Sequence, residues 1–215
     1  MNAKHVLLRE IAKPAVLLTA FALVGTLILA GIHAATTERI ANNERQALLN
    51  ELNALVSPEH YDNDPLHDQI SLPAAGLNSA APITVYRARQ QGQPVAALFV
   101  TTTPEGYSGN IKLLIAVNAD QTLAGVRALN HKETPGLGDR IEVEKSDWIL
   151  QFQAKSLDNP APEQWAVRKD GGAFDQFTGA TITPRAVVSM IKRVLLWSDA
   201  HWAALFQMPA SEDSD

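Results

Sequence analysis

An uncharged and strongly apolar segment at residues 15–35 constrains the fold of this chain more than any other feature. Its length matches the hydrocarbon thickness of a bilayer, which predicts a transmembrane helix. Lys4, Arg9 and Lys13 precede the segment, and this basic flank predicts a cytoplasmic N-terminus. The sequence therefore predicts a single-pass protein of the lipid bilayer, with a cytoplasmic stretch over residues 1–14 and its main domain outside the cytoplasm.

A cleaved signal peptide is the alternative interpretation of the same segment. Residues 31–35, Gly-Ile-His-Ala-Ala, offer a small-residue site like those that are cleaved, but the apolar core is long for a signal peptide, so we favour an uncleaved anchor. Beyond the anchor, Thr36 and Thr37 followed by Glu38 could cap a new helix, or the transmembrane helix could continue.

Composition limits what the remainder can do. The chain has 215 residues, of which 46% are hydrophobic, enough for one medium-sized domain with its own core. The formal net charge is −5 and no stretch is rich in lysine and arginine, which argues against nucleic-acid binding. The 215 residues include no cysteine, so a disulfide and a cysteine-ligated iron–sulfur cluster are excluded. If the protein carries electrons, an organic cofactor must hold them.

Hydrophobic periodicity predicts an α+β domain. Alternating or buried apolar runs predict an antiparallel meander of strands at residues 83–89, 95–100, 111–117 and 123–129. Apolar spacing at Leu48, Leu52, Leu55 and Val56 predicts a half-buried helix before that meander. The expected organisation is a transmembrane helix over 15–35, a helical stalk and wrapping loop over 36–82, the domain over 83–208 and an acidic tail over 209–215.

The second half of the domain predicts flanking helices. A helical stretch is expected near residues 141–152, and a short strand at 165–169. Thr183 as N-cap and Pro184 in the first turn predict the start of a last helix. One face of that helix carries only apolar residues at helical spacing: Val187, Val188, Ile191, Val194 and Leu195.

The run Asp175-Gln-Phe-Thr178-Gly179-Ala180-Thr181-Ile-Thr183-Pro184 is the best candidate for a cofactor site. Backbone N–H groups in such a turn can converge on an anion, and the dipole of the following helix adds positive potential. On the residues alone the run could equally be a plain N-cap. No histidine or lysine base adjoins Thr181, so its hydroxyl would need a separate enzyme to become modified.

A second motif, His131-Lys-Glu-Thr-Pro-Gly-Leu-Gly-Asp-Arg140, follows a predicted strand. Its proline and two glycines predict a tight loop that lets the backbone approach a ligand closely. Such a loop can present N–H groups and the Glu133 and Thr134 side chains to the polar edge of a flat ring. The alternative is a simple connection between two elements.

The pattern Asp175-x-x-Thr178-Gly179-Ala180-Thr181 resembles the flavinylation signature of the FMN-binding domain family. Within that family the chain is similar to the G component of bacterial Rnf electron transport complexes. The resemblance covers nearly the whole chain and includes the N-terminal anchor. Its other motifs are residues 61–64, 106–109, 131–139, 148, 169–172 and 174–185.

This resemblance implies a covalent cofactor. In the family, FMN is joined by a phosphoester to the last threonine of the signature, here Thr181, by a separate Mg-dependent flavin transferase that uses FAD. Asp175 belongs to the sequence which that transferase recognises. Thr178, Gly179, Ala180 and Thr183 would then surround the phosphate.

The same resemblance implies a role and a location. The chain would be an electron carrier with no independent catalysis, on the periplasmic side of the bacterial inner membrane. Its partners would be the other membrane subunits of a complex that couples electron flow between ferredoxin and NAD to ion transport. In the flavin pocket, we expect Leu137 to pack on a ring face, and Thr134 or the backbone around Gly136 to contact the polar edge.

Three other functions are open. The homologous C component of the sodium-translocating NADH:quinone reductase would carry the same flavin bond with different partners. A cofactor-free anchored scaffold protein would carry none. A threonine-nucleophile hydrolase is disfavoured because no base accompanies the hydroxyl.

The remaining chemistry-bearing residues have structural interpretations. The cluster of His60, Asp62, Asp64, His67 and Asp68 fits no standard zinc or calcium spacing and predicts a solvated acidic loop. The four tryptophans predict core or interface contacts. His131 could touch the ring or serve only as a hydrogen-bonded structural residue. Arg185 could reach the phosphate or form a surface ion pair.

Overall fold

The computed structural model describes residues 3–211, with side chains from residue 12 onward apart from residues 38 and 44. Residues 212–215, most of the expected acidic tail, and the first two residues of the expected cytoplasmic stretch lie outside this description. The chain divides into two compact units, Met1–Leu49 and Asn50–Asp215. The elements are helix α1 (Ala3–Leu55), strands β1 (Gln69–Leu72), β2 (Ile83–Gln90), β3 (Gln93–Gly106), β4 (Gly109–Asn118) and β5 (Leu123–Asn130), and helix α2 (Ile182–Gln207).

Helix α1 continues through the apolar segment without a break. The Thr36 and Thr37 hydroxyls donate to the carbonyls of Ile32 and His33 at 2.8 and 2.7 Å, so they bond back into the same helix and cap no new one. Among the described helices, α1 is the one long and apolar enough to cross a membrane, and its apolar side chains are exposed. In length and composition it fits the anchor that the sequence predicts.

The predicted antiparallel meander is confirmed. The sheet has five strands in the order β1-β2-β3-β4-β5, each antiparallel to its neighbours. Opposed pairs such as Val85 with Phe99, and Phe99 with Ile115, set a register that places large apolar residues on one face. Strand β1 was not predicted, because it is short and lies inside a segment rich in Asp, Asn and Pro.

Helix α2 covers one face of this sheet. Its predicted apolar face is confirmed, since all five residues are at most 1% exposed. The Phe99 ring meets the Trp197 ring edge-on at 5.9 Å, and the Thr101 hydroxyl lies 3.4 Å from the Met190 sulfur. Because α2 is anchored along its length, its first turn has a fixed position relative to the sheet.

The opposite face of the sheet is covered by the last turns of α1. Leu52 and Val56 are buried there, as the sequence predicts for a half-buried helix. A Cβ built on Gly125 of β5 would lie 2.7 Å from the Leu55 side chain, so glycine is what allows this close approach. Central strands β3 and β4 are therefore buried on both faces.

A buried arginine ties the end of α2 to the sheet. Arg87 is 1% exposed, pairs with Asp68 and donates to the carbonyls of Leu205 and Met208 at 2.9 and 2.6 Å. Arg89 pairs with the other Asp68 oxygen at 2.6 Å. The expectation of a solvated acidic loop is thus wrong for Asp68, whose charge is matched by two guanidinium groups that also satisfy helix-end carbonyls.

Two local predictions between the sheet and α2 are wrong. Residues 141–152 form no continuous helix, but two short 3₁₀ helices, Gly138–Ile141 and Asp147–Phe152, the second capped by Ser146. The strand expected at 165–169 is a single bridge between Val167 and Phe174. Side-chain packing determines the backbone of both segments, because their aromatic rings cluster in the core of the domain. These rings are Trp148, Phe152, Trp165, Phe174 and Phe177.

Candidate functional site

A tight turn displays the middle of the threonine-rich run. The Ala180 N–H donates to the Phe177 carbonyl at 3.1 Å, which makes Thr178 and Gly179 the two central residues of a β-turn. Gly179 has φ = +83°, the conformation that the third position of a type II turn requires and that glycine adopts without strain. Both central residues are exposed. The sequence folds this way because glycine is placed where the chain must reverse.

Thr181 follows this turn and is the N-cap residue of α2. Its backbone already has helical angles, φ −88° and ψ −29°, and its side chain makes no cap hydrogen bond. The side chain is partly exposed. The Thr181 hydroxyl therefore lies uncommitted at the positive end of a long helix.

The other two hydroxyls of the run differ from that of Thr181. Thr183 is 1% exposed and its hydroxyl donates to the buried Glu133 carboxylate. The expectation that Thr183 caps the helix with Pro184 as first residue is wrong, because α2 begins at Ile182 and places both of them inside its first turn. Thr178 is exposed at the turn. Only Thr178 and Thr181 offer accessible hydroxyls.

Glu133 joins three segments of the site. It is 5% exposed, one oxygen accepts from the Ser108 N–H at 2.9 Å, and the other accepts from the Thr183 hydroxyl. A Cβ on Gly106 or on Gly138 would lie 2.8 Å from a Glu133 oxygen, so both glycines are needed for the close fit. The structure thus places Glu133 inside the protein, and not at a polar ring edge as expected. It holds the β3–β4 turn, its own loop and the start of α2 together.

The loop from Thr134 to Gly138 follows this buried carboxylate. The N–H groups of Leu137 and Gly138 donate to the Thr134 carbonyl at 3.1 and 3.0 Å, and Gly136 takes φ = +78°. Leu137 is 42% exposed, and its Cδ2 lies 3.7 Å from the position of a Cβ on Gly179. The structure therefore brings Leu137 beside the turn that precedes Thr181, with Thr134 and Gly136 exposed in the same loop.

Asp175 lies on the approach to the turn. Its carbonyl accepts from the Trp148 indole N–H at 2.7 Å, and its exposed carboxylate pairs with Arg168 at 3.1 Å. The Trp148 ring of the aromatic cluster thus holds the Asp175 backbone in position, whereas the Asp175 carboxylate faces solvent. The Trp148 contact had no signal in the sequence beyond the presence of an aromatic residue.

Arg185 and His131 are committed to other partners. Arg185 donates to both Asp170 oxygens, at 2.5 and 2.8 Å, and these hydrogen bonds lower the pKa of the Asp170 carboxyl. The pair is formed at neutral pH and is lost only as the pH falls through that lowered pKa. His131 lies 2.9 Å from a Glu142 oxygen and accepts from the Glu133 N–H at 3.1 Å. Both side chains follow the structural interpretations given above.

Replacing Gly179 by alanine should separate backbone strain from function. A Cβ at φ = +83° costs about 1 kcal/mol in free energy of unfolding, and Leu137 leaves ordinary space for it. Gly92, at φ = +76° with open space around it, is the matched control, and Gly92→Ala should cost the same. We expect urea unfolding to report equal losses of unfolding free energy in the two variants. For FMN attached as the flavinylation signature implies, only Gly179→Ala should lower the attachment, and equal FMN attachment in both variants would contradict a role for the turn.

Models of known families match both parts of this chain. One described as FMN-binding domain matches residues 106–196, and one described as RnfG N-terminal region matches residues 1–55. The first range contains the turn, Thr181, the Glu133 contacts and the loop beside them. An FMN-binding domain behind an apolar anchor is therefore the class of protein that this fold and site define, and the predicted α+β architecture is confirmed.

Curated relatives extend the match over nearly the whole chain. The G component of the ion-translocating oxidoreductase complex of Pseudoalteromonas atlantica is 46% identical over 197 residues, covering 91% of this chain and 92% of that protein. The proteins of the same name from Pseudomonas aeruginosa and Vibrio cholerae are 48% and 41% identical, over 90% and 94% of this chain and 91% and 97% of their own lengths. The chain belongs to the RnfG family, the G components of ion-translocating oxidoreductase complexes.

Family membership and the FMN-binding domain together support the predicted function, an FMN electron-transfer subunit of an ion-translocating oxidoreductase complex. These relatives favour that complex over the quinone reductase left open by the sequence. One segment of the site was not recognised as such from the sequence. This segment is residues 106–109, which the sequence offers only as a motif shared with the family. The two glycines on either side of Tyr107 and Ser108 were a signal for a tight turn at the site.

Proposed function

We propose that FMN is bound covalently through a phosphoester to Thr181 and that it carries electrons on the non-cytoplasmic side of the membrane. The observation that supports this best is the uncommitted, partly exposed Thr181 hydroxyl at the start of α2. Thr183 is excluded by burial and by its bond to Glu133. Thr178 is the only other hydroxyl of the described run that a modifying enzyme could reach.

The residues around Thr181 fit a phosphate group. Helix α2 has 26 residues, and the unpaired N–H groups of its first turn give partial positive charge at that end. The turn at Gly179 lies directly before this helix end in the chain, and we assign its central N–H groups to the phosphate as well. Arg185 is held by Asp170, so backbone dipoles, and not a guanidinium, are assigned to offset the phosphate charge.

The location of the signature also fits installation by a separate flavin transferase. Thr178 and Gly179 are exposed on a turn, and the Asp175 carboxylate faces solvent, so an enzyme can read them from outside. No described histidine or lysine is bonded to Thr181 to act as its base, which is consistent with modification in trans. Asp175 is assigned to transferase recognition and not to the flavin pocket.

Bound FMN would supply reversible one- and two-electron chemistry, which no side chain of this protein offers. The chain's own contribution is to hold the phosphate, orient the ring and keep one ring edge open for exchange. Leu137 offers an apolar surface beside the turn, and the exposed Thr134 and Gly136 offer polar groups in the same loop. This arrangement supports a carrier that holds its cofactor at the surface.

The anchor and the family support an assembly of the following kind. Helix α1 would cross the bacterial inner membrane once, with the N-terminus in the cytoplasm and the FMN-binding domain in the periplasm. There the domain would exchange electrons with other membrane subunits of a complex that couples electron flow between ferredoxin and NAD to ion transport. An experiment that tests this role is in-gel fluorescence of the unfolded protein after expression with a flavin transferase. A carrier fluoresces at its own mass, whereas a cofactor-free scaffold stays dark.

Truncating Leu137 should loosen the flavin ring without releasing it. Leu137→Ala removes an apolar contact worth about 1–2 kcal/mol when covered, so we expect a shifted flavin reduction potential and a more mobile ring. Leu150→Ala is the matched control, because Leu150 has a similar exposed fraction, 38%, outside the site segments. Redox titration and fluorescence anisotropy check this. An unchanged potential and anisotropy would reject the Leu137 contact.

A further inference from the structure

One arginine near the site has no carboxylate partner. Within residues 50–211, six of the seven arginines form an ion pair, namely Arg87, Arg89, Arg127, Arg168, Arg185 and Arg193. The exception is Arg140, which is exposed and forms no ion pair with a described residue. Acidic residues adjoin it in the chain, but Asp139 is buried and Glu142 pairs with His131 at 2.9 Å. The Arg140 guanidinium is therefore available to an anion from outside the chain.

The Arg140 side chain is held against the threonine-rich run. Its Cζ lies 5.0 Å from the centre of the Phe177 ring, a cation–π contact that keeps the guanidinium near that ring. The Phe177 carbonyl opens the β-turn that leads to Thr181, because it accepts from the Ala180 N–H. The unpaired charge of Arg140 therefore lies beside the first residue of this turn.

A second exposed cation contacts the run through its backbone. Lys169 belongs to the short 3₁₀ helix Arg168–Asp170, and its N–H donates to the Gln176 side chain at 3.2 Å. Its ammonium forms no ion pair with a described residue. Unpaired lysines occur elsewhere in the domain, so Lys169 is distinguished by its place. Arg140 and Lys169 adjoin consecutive residues of the run, Phe177 and Gln176, and we call them the cation pair.

The acidic residues of this surface are already matched by arginines. Residues 168–185 contain two carboxylates, and Asp175 pairs with Arg168 whereas Asp170 pairs with Arg185. The cation pair therefore leaves a local positive charge on a chain whose formal net charge is −5. A positive region on an otherwise acidic protein draws an approaching anion to one place.

We propose that the cation pair receives the pyrophosphate of a flavin dinucleotide while a flavin transferase joins FMN to Thr181. This inference rests on the proposed function. A phosphoester forms from an alcohol when the phosphorus carries a good leaving group, and the pyrophosphate of a dinucleotide supplies one. The Thr181 oxygen bonds to the FMN phosphorus and the P–O bond to the nucleotide half breaks. A nucleoside monophosphate leaves, and the hydroxyl proton passes to a base of the transferase.

This step places negative charge where the cation pair can offset it. Charge builds up on the leaving phosphate as the P–O bond breaks, and guanidinium or ammonium groups stabilise such charge through charge-assisted hydrogen bonds. The leaving half then departs. The cation pair therefore serves installation, whereas the N–H groups at the start of α2 are assigned to the phosphate that stays.

The experiment measures initial rates of FMN attachment to the unlabelled full chain in detergent, with purified flavin transferase, Mg²⁺ and the flavin dinucleotide. We expect Arg140→Gln to lower kcat about tenfold at saturating chain, which corresponds to about 1.4 kcal/mol. Lys169→Gln should lower kcat about threefold, because an ammonium on a flexible stem is less well placed than a guanidinium. Added salt should slow the wild type more than either variant, since salt screens the cation pair.

Matched substitutions separate charge from packing. Arg140→Lys keeps the charge and should keep most of the rate. Lys155→Gln removes one cation at the opposite end of β5, where the Lys155 carbonyl accepts from the Leu123 N–H. That strand puts this control about 23 Å from the start of the loop that leads to Arg140, and it should be labelled like the wild type. Urea unfolding of the unlabelled variants checks that each is folded.

The outcomes separate this inference from the function on which it rests. A wild type that gains no FMN would reject the covalent flavin itself. A labelled wild type with unchanged kcat and salt dependence in Arg140→Gln and Lys169→Gln would overturn the pyrophosphate contact. A higher KM for the chain at unchanged kcat would assign the cation pair to an acidic surface of the transferase and would also overturn it. Normal labelling followed by a shifted flavin reduction potential would assign Arg140 to the attached flavin, with the same consequence.

Discussion

Thr181→Ala should abolish covalent flavin. Expressed with a flavin transferase, the wild type is expected to gain the mass of one FMN group and to fluoresce after unfolding, whereas the variant should show neither. The physical reason is that alanine offers no oxygen to the phosphate. Thr181→Ser keeps the hydroxyl and should keep labelling. Intact-mass spectrometry gives the result directly.

We expect Thr181→Ala to fold like the wild type, so a loss of labelling can be assigned to the missing hydroxyl. The Thr181 side chain makes no cap hydrogen bond, so removing it should leave the unfolding midpoint of the unlabelled protein unchanged. Retention of the FMN mass in Thr181→Ala would place the bond elsewhere. Thr178 would then be the next candidate, because Thr183 is buried and bonded to Glu133.

Glu133→Ala should cost about 3 kcal/mol in free energy of unfolding, since it leaves the buried Thr183 hydroxyl without an acceptor, removes the acceptor of the Ser108 N–H and opens a void. Glu133→Gln keeps the volume and one acceptor, and should cost about half as much. Urea unfolding of the unlabelled chain in detergent, followed by near-ultraviolet circular dichroism, measures both. Glu163→Ala, at an exposed glutamate, should change the free energy by less than about 0.5 kcal/mol.

A double-mutant cycle with Thr183→Val tests whether the two side chains act through each other. Their direct bond predicts a coupling energy of about 1–2 kcal/mol, so that the two losses do not add. Additive losses, or a Glu133→Ala cost equal to that of the Glu163 control, would refute the role of Glu133 as the junction of the site. Loosening this junction should also increase the mobility of Leu137.

Local patterns predicted the regular elements because their signals are contained within each segment. Alternation in β2 to β5 and the apolar face of α2 follow from which residues must be buried, and the structure confirms them. Residues 141–170 were predicted poorly for the opposite reason. Their backbone follows a cluster of aromatic rings contributed from separate segments, and that packing overrides local propensity.

The site shows the same division. The threonine-rich run, the flexible glycines and the following helix could be recognised from residue types alone. The sequence could not show that Thr181, and not Thr183, is the N-cap residue of α2, because this depends on the exact residue at which the helix begins. The burial of Glu133 also had no local signal, since the Ser108 N–H and Thr183 that it binds come from parts of the chain far apart in sequence.

By itself, the sequence determined an apolar anchor, an antiparallel meander, a final amphipathic helix and a phosphate-friendly turn before it, because these depend on periodicity and on the backbone freedom of glycine and proline. Only the tertiary structure decided which threonine keeps a free hydroxyl, which acidic residues are buried and which apolar side chains face solvent around the turn. Those properties depend on contacts between distant segments, and no single segment contains them.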